Sequence, residues 1–189
     1  YRWGNPQNYG RGSELDRVLG NQHSVNWIDQ GYPGEGNILI FNNFHYGNNS
    51  SVIEINPPLE LDGNYTILEN LSYGPTIWDW MFYDNNTLSS IYQSGAFRLE
   101  NGNTFITNCG NAKMIEVNYN GDILYEYSFP GIQSRINRAK KYPEDYFENN
   151  IGDVNQDEIV NVLDVIILVE FIINNNYTNL GDMNSDQLN

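Results

Sequence analysis

Between Asp153 and Asp164 the chain sets oxygen-bearing groups at alternate positions: Asp153, Asn155 and Asp157, then Ile159, Asn161 and finally Asp164. Calcium takes roughly six to eight hard oxygen ligands at once. In a tight loop alternate residues point inward, so the first three side chains converge on one point. Ile159 would add its backbone carbonyl and leave its side chain for a core. Asn161 would bind directly or through water, and Asp164 would close the site from the first turn of a following helix. The spacing recurs at Asp182, Asn184, Asp186 and Leu188, but the chain stops before a closing residue, so this second site is expected to be incomplete. The sixth loop position favours Gly, which adopts positive φ freely. Glu158 and Gln187 stand there instead, which predicts a strained turn and weaker binding without loss of the site.

The charge pattern agrees with a bound cation. The formal net charge is −15, from 24 acidic and 9 basic residues. Asp153, Asp157, Glu158, Asp164, Glu170, Asp182 and Asp186 all fall in 151–189, where no Lys or Arg occurs. Regular spacing in so acidic a block points to neutralisation by Ca2+. So negative a chain is repelled by phosphate backbones and anionic membranes, which speaks against nucleic-acid binding. The longest apolar run, 162–173, is broken by Asp164 and Glu170 and is too short to span a bilayer. Cys109 is the only cysteine, so no disulfide framework exists within the chain. Calcium can take over that stapling outside the cell, and a secreted, extracellular or cell-surface protein is expected, with the periplasm as a further setting.

The elements that carry these residues differ along the chain. Segments 37–41, 51–55, 104–107, 113–117 and 123–127 read as short strands between Gly-, Asn- and Pro-rich turns. Asn101-Gly102 and Asn120-Gly121 are hairpin signals. The strands repeat. Gly36-Asn37-Ile38-Leu39-Ile40 matches Gly102-Asn103-Thr104-Phe105-Ile106, and Val52-Ile53-Glu54-Ile55 matches Met114-Ile115-Glu116-Val117. Aromatic pairs recur at Tyr1/Trp3, Trp78/Trp80 and Tyr125/Tyr127, and Gln22-His23 aligns with Gln93-Ser94. Each unit has the content of one four-stranded propeller blade. The expected fold is mainly β, a partial β-propeller of about two to three blades of a larger ring, with a small α calcium segment; a small open sheet or sandwich is the competing reading. The chain opens on Tyr1 in what reads as mid-strand, so a preceding part is expected to be missing or removed. Three regions follow: blades over 1–130, a polar connector over 131–150 holding Arg135, Arg138, Lys140 and Lys141, and the calcium segment over 151–189. The helix expected over 161–173 is apolar on nearly every side and needs more than one neighbour to bury it.

Residues 152–173 and 181–189 resemble a type I dockerin repeat, EF-hand-like in its calcium loop, with the second repeat truncated. That resemblance implies docking through Val162 and Leu163, onto a cohesin-like receptor or onto the chain's own propeller; self-assembly is a further outcome. Residues 1–147 resemble the C-terminal end of an arylsulfotransferase-type propeller, through the stretches at 1–10, 22–43, 50–58, 94–107 and 136–146. The resemblance implies transfer of a sulfuryl group from an aryl sulfate to a phenol through a sulfohistidine, with a neutral imidazole as nucleophile. Of the two histidines, His23 and His45, His23 is the nucleophile candidate, with Arg98 to clamp sulfate oxygens and Asn42 and Asn108 to assist. His45 reads as an ordinary loop residue. Ser24 stands where the family carries an acid, and its other active-site histidines would come from blades outside this chain. The alternative is a non-catalytic extracellular scaffold or adhesion protein that attaches through the calcium segment.

Overall fold

Two stretches of alternating apolar sequence, joined by hairpins, define the first part of the chain. In the computed structural model, which describes residues 1–46, 49–69, 71–131, 135–142, 152–157, 159–174 and 176, they build two four-stranded antiparallel sheets. The first contains β1 (His23–Trp27), β2 (Ile38–Tyr46), β3 (Asn49–Ile55) and β4 (Trp80–Tyr83). The second contains β5 (Gly95–Arg98), β6 (Thr104–Asn108), β7 (Lys113–Val117) and β8 (Ile123–Ser128). Each sheet runs in strict sequence order, so every strand pairs with its neighbour in the chain. One helix, α1 (Val162–Ile173), follows. The protein is therefore mainly β, as the strand spacing predicts. The chain divides into two compact units, Tyr1–Lys141 and Tyr142–Asn189.

Alternation along the strands sorts the core of the first unit. Leu39 and Phe41 of β2 point to one face, where they meet Val52, Trp80 and Phe82 of the first sheet and Ala96, Ile106, Ile115 and Val117 of the second. The two sheets are thus joined by one shared apolar layer. Ile38 and Ile40 point the opposite way and pack with Ile53, Ile55, Leu19, Trp3, Trp78 and Met81. Burying each such side chain is worth about 1.5–3 kcal/mol. A one-residue slip of β2 would exchange its two faces.

The repeat has a physical content that its sequence hides. Asn37 donates through Nδ2 to Glu54 Oε1 at 2.7 Å, and Asn103 does the same to Glu116 Oε1 at 2.8 Å. The Gly-Asn and Glu signatures are therefore one cross-strand hydrogen bond made twice. Each Glu then takes one cation: Arg98 pairs with Glu54 and Lys141 with Glu116. Gly36, Gly102 and Gly121 stand at φ of 79°, 85° and 87°, the backbone region that glycine enters without steric cost.

Two expectations change. Residues 1–3 form no strand; Trp3 instead donates Nε1 to Pro75 O at 2.8 Å and packs on the outer face of the first sheet. Residues 135–141 follow the second sheet, because Ala139 N donates to Thr107 Oγ1 at 3.0 Å, Ser94 N to Asn137 O at 3.0 Å and Lys141 Nζ to Glu116 Oε2 at 2.5 Å. Among the described residues no helix is long and apolar enough to cross a membrane.

Candidate functional site

In the second unit, the oxygens of the Asp153–Asp164 stretch are oriented by the loop's own amides. Asp157 N donates to Asp153 Oδ1 at 3.1 Å and to Asn155 Oδ1 at 2.9 Å, and Ile159 N donates to Asp157 Oδ1 at 2.9 Å. Asp164 reaches back from the first turn of α1, where Asn155 N donates to Oδ1 at 3.1 Å and Asn161 N to Oδ2 at 2.7 Å. Asn161 caps the helix by accepting from Leu163 N at 2.8 Å, and its Nδ2 donates to Ile159 O at 3.0 Å. Asp153 and Asp164 are buried, at 4% and 2% exposure, inside an otherwise open loop.

At the fourth loop position Gln156 has φ 61°, in the left-handed region. The sixth position, Glu158, lies outside the described residues, as do Asp182, Asn184, Asp186 and Leu188. The donors are carboxylate, amide and carbonyl oxygens, with no sulfur or nitrogen ligand, and that chemistry fits a hard cation. Among the described residues no three His, Cys, Asp or Glu side chains form a metal-holding group by themselves. Ligation would rest on the mixed set of Asp153, Asn155, Asp157, Ile159, Asn161 and Asp164.

The amide of Asn161, joined by those of Asn155 and Val154, holds the Asp164 carboxyl below its ordinary value, against the opposing effect of burial. A depressed folded pKa contributes stability that is full above the unfolded value of about 3.9 and fades as pH falls through the folded value. The loop is therefore expected to open on acidification below about pH 4, and Asp164→Asn to remove that acid limb. NMR amide shifts of Asn155 and Asn161 followed from pH 6 to pH 2 check this.

α1 differs from expectation. Only Asp164 among its described side chains is buried, while Val162, Leu163, Val165, Ile166, Val169, Ile172 and Ile173 are all exposed.

His23, in the first unit, is the first residue of β1 and lies beside an irregularity in the β1–β2 register. Ser24 follows at φ 50°, and such irregularities re-aim side chains. His23 Nδ1 lies 2.8 Å from Asn43 Oδ1 and 3.0 Å from Asn21 O. Asn43 is itself oriented, since its Nδ2 donates to Ser90 O at 2.8 Å and Gln93 O at 3.2 Å. Both atoms facing Nδ1 are acceptors, so neutral His23 carries its proton there and presents an unprotonated Nε2. Asn43 orients the ring, in place of Asn42 and Asn108, to which the sequence points. Those two hold loops: Gly20 N donates to Asn42 Oδ1, and Asn108 Nδ2 donates to Thr87 O.

Arg98 does not join His23. The strand β5 begins at Gly95, beside Ser24 Oγ, and ends at Arg98, about 10 Å further along. Arg98 is buried against Glu54, donates to Gly102 O at 2.9 Å and lies 5.1 Å from the Trp80 ring centroid. Burial pulls its pKa down and Glu54 pulls it back. The arginines at the His23 end are Arg135, stacked 4.9 Å over Tyr92, and Arg138, whose stem lies against Gly95. Both are exposed. The only sequence sign of them was the basic character of 131–150. Cys109 is buried there too, and burial pushes its thiol up, which suits an inert side chain.

His45 belongs to β2 rather than a loop, half-buried between Tyr83 and Trp78, with ring centroids 5.5 Å and 6.0 Å away. Burial lowers its pKa.

Comparison of the chain with protein-family models, with curated proteins and with solved structures gave no match.

Proposed function

We propose that the chain is the end of a secreted, arylsulfotransferase-like propeller body carrying a calcium-binding, dockerin-like tail that docks it to a partner. The observation that carries this reading is the Asp153–Asp164 loop, with its oxygen-only donors oriented by loop amides and closed by Asp164. Bound Ca2+ would neutralise the buried carboxylates and fix the loop against the first turn of α1. Val162 and Leu163 then face outward at 67% and 52% exposure, which suits an apolar receptor surface of cohesin type. Two sequential four-stranded meanders joined by one apolar layer support the reading of adjacent blades.

A catalytic role for the body draws support from the His23 tautomer. Nε2 would attack the sulfur of an aryl sulfate, forming an N–S bond as the S–O bond to the ring breaks and phenolate leaves. A phenol oxygen would then take the sulfuryl group, releasing Nε2 and a proton to solvent. Arg135 and Arg138, rather than Arg98, stand at the end of the sheets where sulfuryl oxygens would need cations. The buried Arg98–Glu54 pair instead favours the scaffold reading, in which the body is inactive. The full-length protein, given 4-nitrophenyl sulfate and phenol, is expected to release nitrophenolate, and His23→Ala to cut the rate by at least about a hundredfold. Absence of transfer, or transfer unchanged in His23→Ala, would reject catalysis and leave the docking role.

A further inference from the structure

Basic side chains are scarce in this chain, 9 against 24 acids. Arg17, Arg98, Lys113, Lys140 and Lys141 each lie within ion-pair distance of an acid. Arg135 and Arg138 pair with no acid among the described residues and rest on aromatic rings instead. Arg135 lies 4.9 Å over Tyr92, and Arg138 lies 5.7 Å over Phe97. Their backbone is pinned, since Asn137 O accepts from Ser94 N at 3.0 Å and Ala139 N donates to Thr107 Oγ1 at 3.0 Å. Two cations held clear of acids, on a fixed stretch of an acidic protein, are placed for an anion from outside.

Both stand at the His23 end of the sheets. The space beside Gly95 is filled by the Arg138 stem and by Ser24 Oγ, one residue after His23. Tyr92, under Arg135, belongs to the loop before β5. That loop holds Asn43, whose Nδ2 donates to Ser90 O and Gln93 O, and Asn43 orients His23. This loop end lies off both sheet faces, so further blades packed on those faces would leave it open. One arginine is enough to grip a sulfuryl group, because its planar fork takes two oxygens at once. Arg138, beside Ser24, suits that role. Arg135 rests on a different ring, three residues and up to about 10 Å of chain away. It is left for a second anionic group on the substrate.

We infer that Arg135 selects a phenol acceptor that carries a carboxylate. The inference rests on the sulfuryl-transfer reading and names its acceptor class. A neutral phenol gives so open a site little to hold, yet its oxygen must be positioned for attack. A carboxylate fits the guanidinium fork. With a single charge it meets less repulsion from a chain of net charge −15 than a phosphate would. The phenol oxygen takes the sulfuryl group from Nε2 as the N–S bond breaks. The phenol proton leaves to solvent, and the carboxylate stays unchanged on Arg135.

Three acceptors of similar shape test it: 4-hydroxyphenylpropanoate, its neutral amide, and tyramine, which carries a cation. With the full chain and 4-nitrophenyl sulfate as donor, the acid is expected to exceed the amide in kcat/KM at least about tenfold, one charge contact's worth, and tyramine to fall below the amide. Saturation-transfer NMR without donor is expected to give the same order of affinity. Arg135→Gln is expected to bring the acid-to-amide ratio to about one in both measurements. Arg138→Gln is expected to slow transfer to acid and amide alike and to keep the ratio. Both arginines are exposed, so the variants keep the fold, which circular dichroism verifies. Equal preference for acid and amide in the wild type, a ratio unchanged in Arg135→Gln, or tyramine favoured over the amide would overturn the inference. Transfer without acid preference would do so and leave sulfuryl transfer standing. Acid-selective binding that depends on Arg135, with transfer to none of the three, would uphold the carboxylate site and reject sulfuryl transfer instead.

Discussion

Replacing Asp153 with alanine is expected to abolish the heat of calcium binding, and Asp157→Ala to weaken affinity by about a hundredfold or more, since ligand charge sets the affinity of such loops. Asp153 is the stronger case because its carboxylate is buried, at 4% exposure, and also accepts the Asp157 amide. Its loss removes a ligand and a loop brace together. Asn155→Ala removes a neutral donor and is expected to cost less. Calorimetry on protein freed of metal, followed by titration with Ca2+, orders the three. If the Asp153→Ala and wild-type heats coincided, the loop would not be the calcium site. Chelation is expected to act on the second unit and leave the melting of the two sheets in place, because no loop donor belongs to them.

The second large effect concerns the fold. Arg98→Met is expected to destabilise the first unit by about 3–5 kcal/mol, because it leaves the Glu54 carboxylate buried without its cation. Arg98 and Glu54 side chains are 2% and 5% exposed, so water cannot replace the lost partner. The double variant Glu54→Gln/Arg98→Met is expected to recover most of that loss, since it removes both charges and keeps an acceptor for Asn37. The sister pair gives the contrast. Lys141 is 51% exposed, so Lys141→Met is expected to cost no more than about 1 kcal/mol. Burial pushes Glu116 up, but the bonds from Lys141 and Asn103 outweigh it and hold the carboxyl low. Urea unfolding read by tryptophan fluorescence separates the two pairs. A loss of less than about 1 kcal/mol for Arg98→Met would place that pair in water instead.

Local chemistry made parts of this structure readable in advance. β6 and β7 follow the apolar runs around Ile106 and Ile115, and the hairpins follow Gly102 and Gly121, where positive φ is needed. α1 begins one residue after its cap, Asn161, as the loop spacing requires. What stayed hidden depends on partners far apart in sequence. β1 and β5 are short and carry Asn26 and Gly95 in place of a clean apolar alternation, so no period marks them. Arg98 reads as a free cation until Glu54, 44 residues away, is brought to it. Asn43 could not be told from Asn42, because the choice turns on which face of β2 each occupies. Residues 1–3 show the opposite failure: an aromatic pair at strand spacing forms no strand, and Trp3 packs on the outer core instead.

Hydrogen–deuterium exchange of the whole chain, with Ca2+ and then with EDTA, tests the calcium-docking reading most directly. The amides of Asn155, Asp157, Ile159 and Asn161, which donate to the loop's own oxygens, are expected to exchange slowly with Ca2+ and to lose that protection in EDTA. Residues 104–117 of the second sheet are expected to stay protected in both. Identical exchange of the loop amides with and without calcium would contradict it.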